Sequence, residues 1–281
     1  MDVLSEIMAV LRTRSRLYGR LELCAPFGFQ FTGMKGICLI VTRGSCFLGV
    51  DNGLLCALAG GDFVFLPNPP FYTLQSSRDT PIRSIREITS QQEFNNSRLI
   101  KFDGQNGPPT TLVAGCFTFD SPESEMLVKH LPSIVHLEAS GPHATSWFHS
   151  TLQFIATEAS HDLPGGTAIV DRLTEVLFVQ AMRSRMTSTF ATEKPSWLRA
   201  LADPQMGAAL SMMHAEPGRP WKVSDLAKSV SMSRSAFAER FRKLAGDCAN
   251  DAHFHIAPLQ SKTLWDSALI RIHFKAILSE I

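Results

Sequence analysis

The spacing of apolar residues changes character once along this chain of 281 residues, and that change limits what it can fold into. From about 21 to 119, Ile, Val, Leu, Phe and Cys come in short runs divided by turn residues. From 123 onward they recur at helical spacing. Side chains alternate along a strand, whereas a helical face repeats every ~3.6 residues. Strands first and helices after predict an α+β chain, with a β-barrel or sandwich in front and an all-α segment behind. The length fits two domains of ordinary size.

Within the first part, Ile37–Val41 reads as a strand, Arg43-Gly44 as a turn and Cys46–Val50 as the next strand. Asp51-Asn52-Gly53 is a hairpin signal, because Asn and Gly accept positive φ. Leu54–Leu58 returns, Gly60-Gly61-Asp62 turns, and Phe63–Leu66 follows. Pro67, Pro69 and Pro70 are expected to end the ladder, since proline has no amide to donate. Residues 75–81 and 103–110 read as polar loops, and Leu112–Phe119 as a closing strand. Ahead of the strands, Val3, Leu4, Ile7, Met8 and Leu11 share one face of a short helix over 2–11. Behind them, helices are predicted over 123–131, 146–160 and 167–185. In the third, Ile169, Val170, Leu173, Val176, Leu177 and Ala181 form a stripe that can pack on the barrel or on a second subunit. The polar, Pro-ended stretch 186–196 reads as a linker.

The net charge is +1, so any surface for nucleic acid has to be local. No apolar run reaches the length of a membrane span, and no membrane partner is expected. Asp2 and Glu6, without a basic leader, speak against a secretory signal. A cytoplasmic protein with reduced thiols is the expectation. The cysteines at 24, 38, 46, 56, 116 and 248 form no C-x-x-C pair. Cys38, Cys46 and Cys56 fall on neighbouring predicted strands with no basic cluster beside them in sequence, so they read as buried, inert thiols. His253-x-His255 has no third ligand nearby and reads as incidental. There is no G-x-S-x-G elbow, Walker loop or H-E-x-x-H motif, so no catalytic residues are assigned and an enzyme is not expected.

The segment 203–246 carries the strongest local signals. Asp203 can cap a helix that has Pro204 in its first turn. Met206, Ala209, Leu210 and Met213 would face its core, and Pro217-Gly218 would break it. Ser224 is expected to cap a second helix that buries Leu226, Ala227 and Val230. Ser231-Met232 makes a turn, and Ser233 caps a third helix, Arg234–Ala245, closed by Gly246. Phe237, Phe241 and Leu244 then point inward together. Two capped helices around a tight turn are the helix-turn-helix plan. Charge concentrates here as well. Arg219, Lys222, Lys228, Arg234, Arg240, Arg242 and Lys243 stand against Asp225 and Glu239, a net +5 in thirty residues.

Residues 221–246, with their Leu-Ala…Met-Ser-x-Ser-x-Phe-x-x-x-Phe frame, resemble the first helix-turn-helix of AraC/XylS-type regulators. The barrel region, with Gly44, Gly61-Asp62 and Pro67 between its strands, resembles the cupin-like effector domain of one branch of that family, and Trp197–Pro204 is similar to that branch's entry into its DNA-binding part. The resemblance implies an effector-binding barrel with its helix over 1–122, a helical connector or dimerisation region with linker over 123–195, and a DNA-binding segment over 196–281. It implies that the third helix enters the major groove of promoter DNA, with Ser233, Arg234, Ser235, Ala238, Glu239, Arg242 and Lys243 as the contact set. The partners implied are DNA, a small-molecule effector and a second copy of the chain in a homodimer. No cofactor is implied. Metal-using cupins hold their ion with histidines, but this chain has none before His130, and the corresponding positions read Leu39 and Phe71-Tyr72. No metal site is expected.

After Gly246 the sequence departs from the family pattern of a linker helix and a second helix-turn-helix. The expectation is a chain cut short or shifted out of frame after its first unit, with weak, salt-sensitive and poorly selective DNA binding. Two readings follow. One is a sequence-specific transcription regulator responding to a small effector, impaired by that loss. The alternative is a ligand-binding or dimerising barrel protein that no longer binds DNA productively.

Overall fold

The computed structural model describes Leu4, Ser5, Met8 and Leu11, then residues 13–245 without 51–52, 90–98, 106, 120–121, 130, 142–145, 162, 188–196, 217–218 and 220. Val3, Ile7, the Asp51-Asn52 turn, most of the linker, Pro217-Gly218, His253-x-His255 and everything from Gly246 onward lie outside the described residues. Two compact units are present. One comprises Thr13–Thr118 with Ser133–Ser184, and the other Met1–Arg12, Phe119–Pro132 and Arg185–Ile281.

The first unit holds β1 (Arg14–Cys24), β2 (Gly28–Thr32), β3 (Ile37–Arg43), β4 (Ser45–Val50), β5 (Leu55–Ala59), β6 (Phe63–Leu66), β7 (Phe71–Gln75), β8 (Arg83–Ser84), β9 (Leu99–Asp103), β10 (Pro109–Thr118) and β11 (Val135–Leu137). They form a six-stranded sheet, β11-β6-β3-β10-β1-β9, and a five-stranded sheet, β5-β4-β7-β2-β8. The inner faces supply one core that includes Leu23, Phe29, Leu39, Leu48, Val64 and Leu74. β3 is buried from Ile37 to Val41 without alternation. Ile37, Leu39 and Val41 enter the barrel core. The outer face of the same sheet is covered, with Phe65 and Phe117 packing on Phe178 at ring distances of 4.9 and 4.7 Å. A strand covered on both faces reads as a continuous apolar run.

Phe178 belongs to a helix over Gly166–Thr187. Besides one helical turn over Arg86–Thr89, the helices among the described residues are, in chain order, α1 (Pro122–Lys129), α2 (Ser146–Glu158), α3 (Gly166–Thr187), α4 (Trp197–Ala202), α5 (Pro204–Ala215), α6 (Val223–Ser229) and α7 (Arg234–Ala245). The predicted stripe of α3 is corrected in part. Val170, Leu177, Phe178, Ala181 and Met182 are buried, while Ile169 and Val176 are 45% and 44% exposed. The buried face is rotated toward Phe178 because that ring fills the space beside Phe65 and Phe117. α3 also completes β1. The Leu17 amide donates to Asp171 Oδ1 at 2.8 Å and the Ser15 amide to Glu175 Oε1 at 3.2 Å. β9 pairs with β1 only from Arg20 onward, so these carboxylates take edge amides that no strand reaches.

Two further strand expectations are corrected. The prolines at 67, 69 and 70 do not end the ladder, because they occupy only the connection and β7 starts at Phe71. β7 pairs with both β2 and β4. Proline is harmless there, since no ladder hydrogen bond is required of it. β10 begins at Pro109, inside the stretch read as a loop.

Gly44 turns β3 into β4 at φ +78, and a Cβ there would lie 2.4 Å from Pro109 O. Gly44→Ala is therefore expected to destabilise the barrel by about 1–3 kcal/mol through left-handed strain alone, with the clash added. Thermal melting checks this, and an unchanged midpoint would show that the turn relaxes freely.

Candidate nucleic-acid interface and effector cavity

In the second unit, local chemistry sets the helix ends. Asp203 caps α5, its Oδ1 accepting from the Gln205 and Met206 amides at 3.1 and 3.0 Å. The other oxygen, Oδ2, accepts two bonds from Arg240, from Nε at 3.0 Å and Nη2 at 2.6 Å. Burial alone would raise the Asp203 pKa, but the bonds from Arg240 and from the Met206 and Gln205 amides hold it below the ordinary carboxylate range. Ser233 caps α7 by accepting from the Ala236 amide at 3.2 Å. Between α6 and α7, Ser231 adopts φ +58. The Met232 amide reaches Ala227 O at 2.8 Å, and Gln205 Nε2 holds Val230 O at 2.9 Å. Ser224 does not cap α6. Lys222 occupies that position without a side-chain bond, because Ser224 sits inside the first turn, its hydroxyl directed at Asp225 Oδ1.

Met206, Leu210, Met213, Trp221, Leu226, Phe237 and Phe241 form the core of the helices, with Phe237 and Phe241 stacked at 6.5 Å. α7 thus has two unlike faces. Phe237, Phe241 and Ala245 are buried. Ser233, Arg234, Ser235, Glu239, Arg242 and Lys243 are exposed, and Ala238 is half-buried. Exposure does not leave these side chains unengaged: the Ser233 hydroxyl meets both the Ala236 amide and, at 3.2 Å, the Ser235 hydroxyl. Arg240 is engaged with Asp203, and Arg219 stacks on Trp221 at 4.0 Å while pairing with Glu216.

The barrel unit contains a cavity of about 310 Å³ between its sheets, lined by Tyr18, Leu21, Phe31, Met34, Tyr72, Ile100 and Ala114 among others. Phe31 and Tyr72 stack along one wall at 4.7 Å. Burial pushes the Tyr72 phenol up, and partial burial with a hydrogen bond to Cys116 brings Tyr18, 42% exposed, to about 12. Such a wall suits an apolar molecule with a few polar atoms. Leu39 is fully buried and Tyr72 nearly so. Among the described residues, no three His, Cys, Asp or Glu side chains are grouped to hold a metal ion.

The thiols divide into two kinds. Burial pushes Cys38 up, and Cys46 up to about 12. Cys56 departs from the expectation of a buried, unflanked thiol. It is half-buried on β5, with Sγ 3.5 Å from His136 Nδ1. His136 arrives on β11 from 80 positions away in sequence, so no local pattern could reveal it. Its other ring nitrogen, Nε2, meets Asp62 Oδ2 at 3.1 Å.

A barrel with an apolar cavity and a capped, basic helix-turn-helix is the outfit of a ligand-responsive DNA-binding protein. Residues 2–187 match the cupin family. A putative AraC-like transcription regulator of Streptomyces lividans is 31% identical over 271 residues, covering 94% of this chain and 83% of that protein. The HTH-type transcriptional regulator AlkR of Acinetobacter baylyi is 25% identical over 249 residues, covering 87% and 80%. A crystal structure of ToxT from Vibrio cholerae covers 95% of this chain and 91% of its own at 11% identity, with a TM-score of 0.34. The chain belongs to the AraC-like transcription regulators, with a cupin-family region over residues 2–187. No described helix is long and apolar enough to cross a membrane.

Proposed function

We propose that α7 lies in the major groove of promoter DNA and that a small, mainly apolar effector in the barrel cavity controls this binding. The contact set is Ser233, Arg234, Ser235, Ala238, Glu239, Arg242 and Lys243. One observation carries the reading. α7 is fixed through its buried Phe237–Phe241 seam and presents hydroxyl and charged side chains on its opposite face. Arg242 and Lys243 supply phosphate contacts, while Ser235 and Glu239 face base edges. A carboxylate can only accept there, which favours cytosine N4 over guanine. Arg240 is a structural residue in this scheme, held by Asp203. Ile169 and Val176, one above the other on α3 and exposed, are the surface that a second copy of the chain would cover. The protein acts on DNA in the cytoplasm and turns over no substrate.

The test is a fluorescence-anisotropy titration of the full chain with duplex from its own upstream region and with scrambled duplex, across a salt series. Arg242→Ala is expected to weaken binding on both duplexes alike and to lower the salt slope by about one. Unchanged affinity and slope in both Arg242→Ala and Lys243→Ala would sink the proposed orientation of α7.

A further inference from the structure

We propose that the Cys56 sulfur, set against the imidazole of His136, is a nucleophile that adds to soft electrophiles of the α,β-unsaturated carbonyl class. The site lies at the seam of the barrel. β5 is the edge strand of the five-stranded sheet and β11 the edge strand of the six-stranded sheet, and Asp62 stands in the turn joining β5 to β6. Cys56, His136 and Asp62 form a line of nucleophile, base and orienting carboxylate, with contacts of 3.5 and 3.1 Å. This is the arrangement that activates a nucleophile. Asp62 is itself fixed. Its Oδ1 accepts from the Ala139 amide at 2.8 Å and its Oδ2 from the Ala59 amide at 2.9 Å. Gly61, at φ +96, brings this turn so close to β11 that a Cβ would lie 2.7 Å from that of Ala139.

The charged and titratable groups around His136 are Asp62, Cys56 and, at 3.9 Å from Nδ1, Glu138, with Cys46 further along the inner face. Burial would lower the His136 pKa, but the hydrogen bonds to Asp62 and Cys56 outweigh it and raise the value to about 9. The ring is therefore cationic near neutrality and directs a proton at the sulfur. A partly exposed sulfur against an imidazole reacts through the form in which the thiol proton sits on the ring.

The class of reaction follows from the surroundings. Cys46 pairs with Leu58, one step along the face from the Leu48–Cys56 pair, so the two cysteines are diagonal neighbours. Diagonal cross-strand positions stand ~7–8 Å apart, beyond the Cα separation of about 7 Å that a disulfide can span. Conjugate addition needs no second thiol. The Sγ–carbon bond forms as the C=C π bond breaks, and the electron pair moves onto the carbonyl oxygen as an enolate. The His136 proton then passes to the α-carbon, leaving a thioether and a neutral imidazole.

The experiment treats the full chain with limiting N-ethylmaleimide and maps the labelled cysteines by peptide mass. At about pH 7, Cys56 is expected to react at least ~10-fold faster than Cys24, the other half-buried thiol among the described residues. His136→Gln should bring Cys56 down to the rate of Cys24. The gap between wild type and variant should close at about pH 10, where His136 has lost its charge. Labelling of Cys56 no faster than Cys24 in the wild type overturns the proposal, and needs no variant to be read. So does a folded His136→Gln protein that labels at the wild-type rate.

Discussion

Replacing Phe241 with alanine is expected to remove about 3–5 kcal/mol from the folded helix-turn-helix. The ring is fully buried, stacks on Phe237, and touches the core that α5, α6 and α7 share. Truncation deletes its burial and leaves a cavity between helices that are fixed elsewhere. The Asp203 cap, the Arg240 pair and the Gln205–Val230 bond hold α5, α7 and the turn in place. The site therefore cannot collapse to fill the void, which puts the loss in the upper part of the range for such substitutions. Ser235→Ala, on the exposed face of the same helix, should change stability by no more than ~0.5 kcal/mol. Hydrogen exchange of the α5–α7 amides in the full chain separates the two. Phe241→Ala should lose protection across all three helices together, and Ser235→Ala should lose none. Similar small changes in both variants would mean that α7 is not docked through its phenylalanine seam.

The helix-turn-helix was legible because its determinants are local. Asp203-Pro204, the Ser231 turn, the Ser233 cap and the Phe237–Phe241 spacing each lie within a few residues of what they control. The Ser224 cap was misplaced by two residues, since Lys222 holds the cap position by backbone geometry alone. In the barrel, the strands between Ile37 and Leu66 were legible from turn residues such as Gly44 and Gly61, both at positive φ. β1, β9 and β11 were not. The first half of β1 depends on Asp171 and Glu175 for its edge amides, β9 pairs in parallel, and β11 is three residues long. None of those conditions leaves a periodic trace in sequence. The same holds for Cys56. Its neighbours in the chain carry no cation, and the one beside it in space is supplied by a strand at the far edge of the other sheet.

The pairing of Asp62 with His136 should make the stability of the barrel depend on pH in a defined direction. The two side chains are 7% and 14% exposed, so solvent screens them little. His136 is raised from 6.5 to about 9 in the folded protein. Its contribution is therefore fully present below the unfolded value and is lost as pH rises through about 9. Asp62 is shifted the opposite way. Burial acts to raise it, but the bonds from His136 and from the Ala139 and Ala59 amides bring it down. Its contribution is present above the unfolded value of about 4 and is lost as pH falls through the folded one. The two shifts share the His136–Asp62 contact, so they are not added, and the Cys56 contact contributes to the His136 shift as well. The His136 shift corresponds to about 3 kcal/mol of coupling between protonation and folding. Urea unfolding of the wild type should therefore lose on the order of 3 kcal/mol between about pH 6 and pH 10. His136→Gln should lose about that much less over the interval, keeping only the decline that the buried thiols Cys38 and Cys46 cause as their unfolded counterparts ionise. Asp62→Ala should be the more damaging change, about 3–5 kcal/mol. It strands a buried imidazole and leaves the Ala59 and Ala139 amides without their acceptor. Parallel pH profiles for wild type and His136→Gln would mean that the pair contributes nothing to folding, and that the Asp62 carboxylate serves the two amides alone.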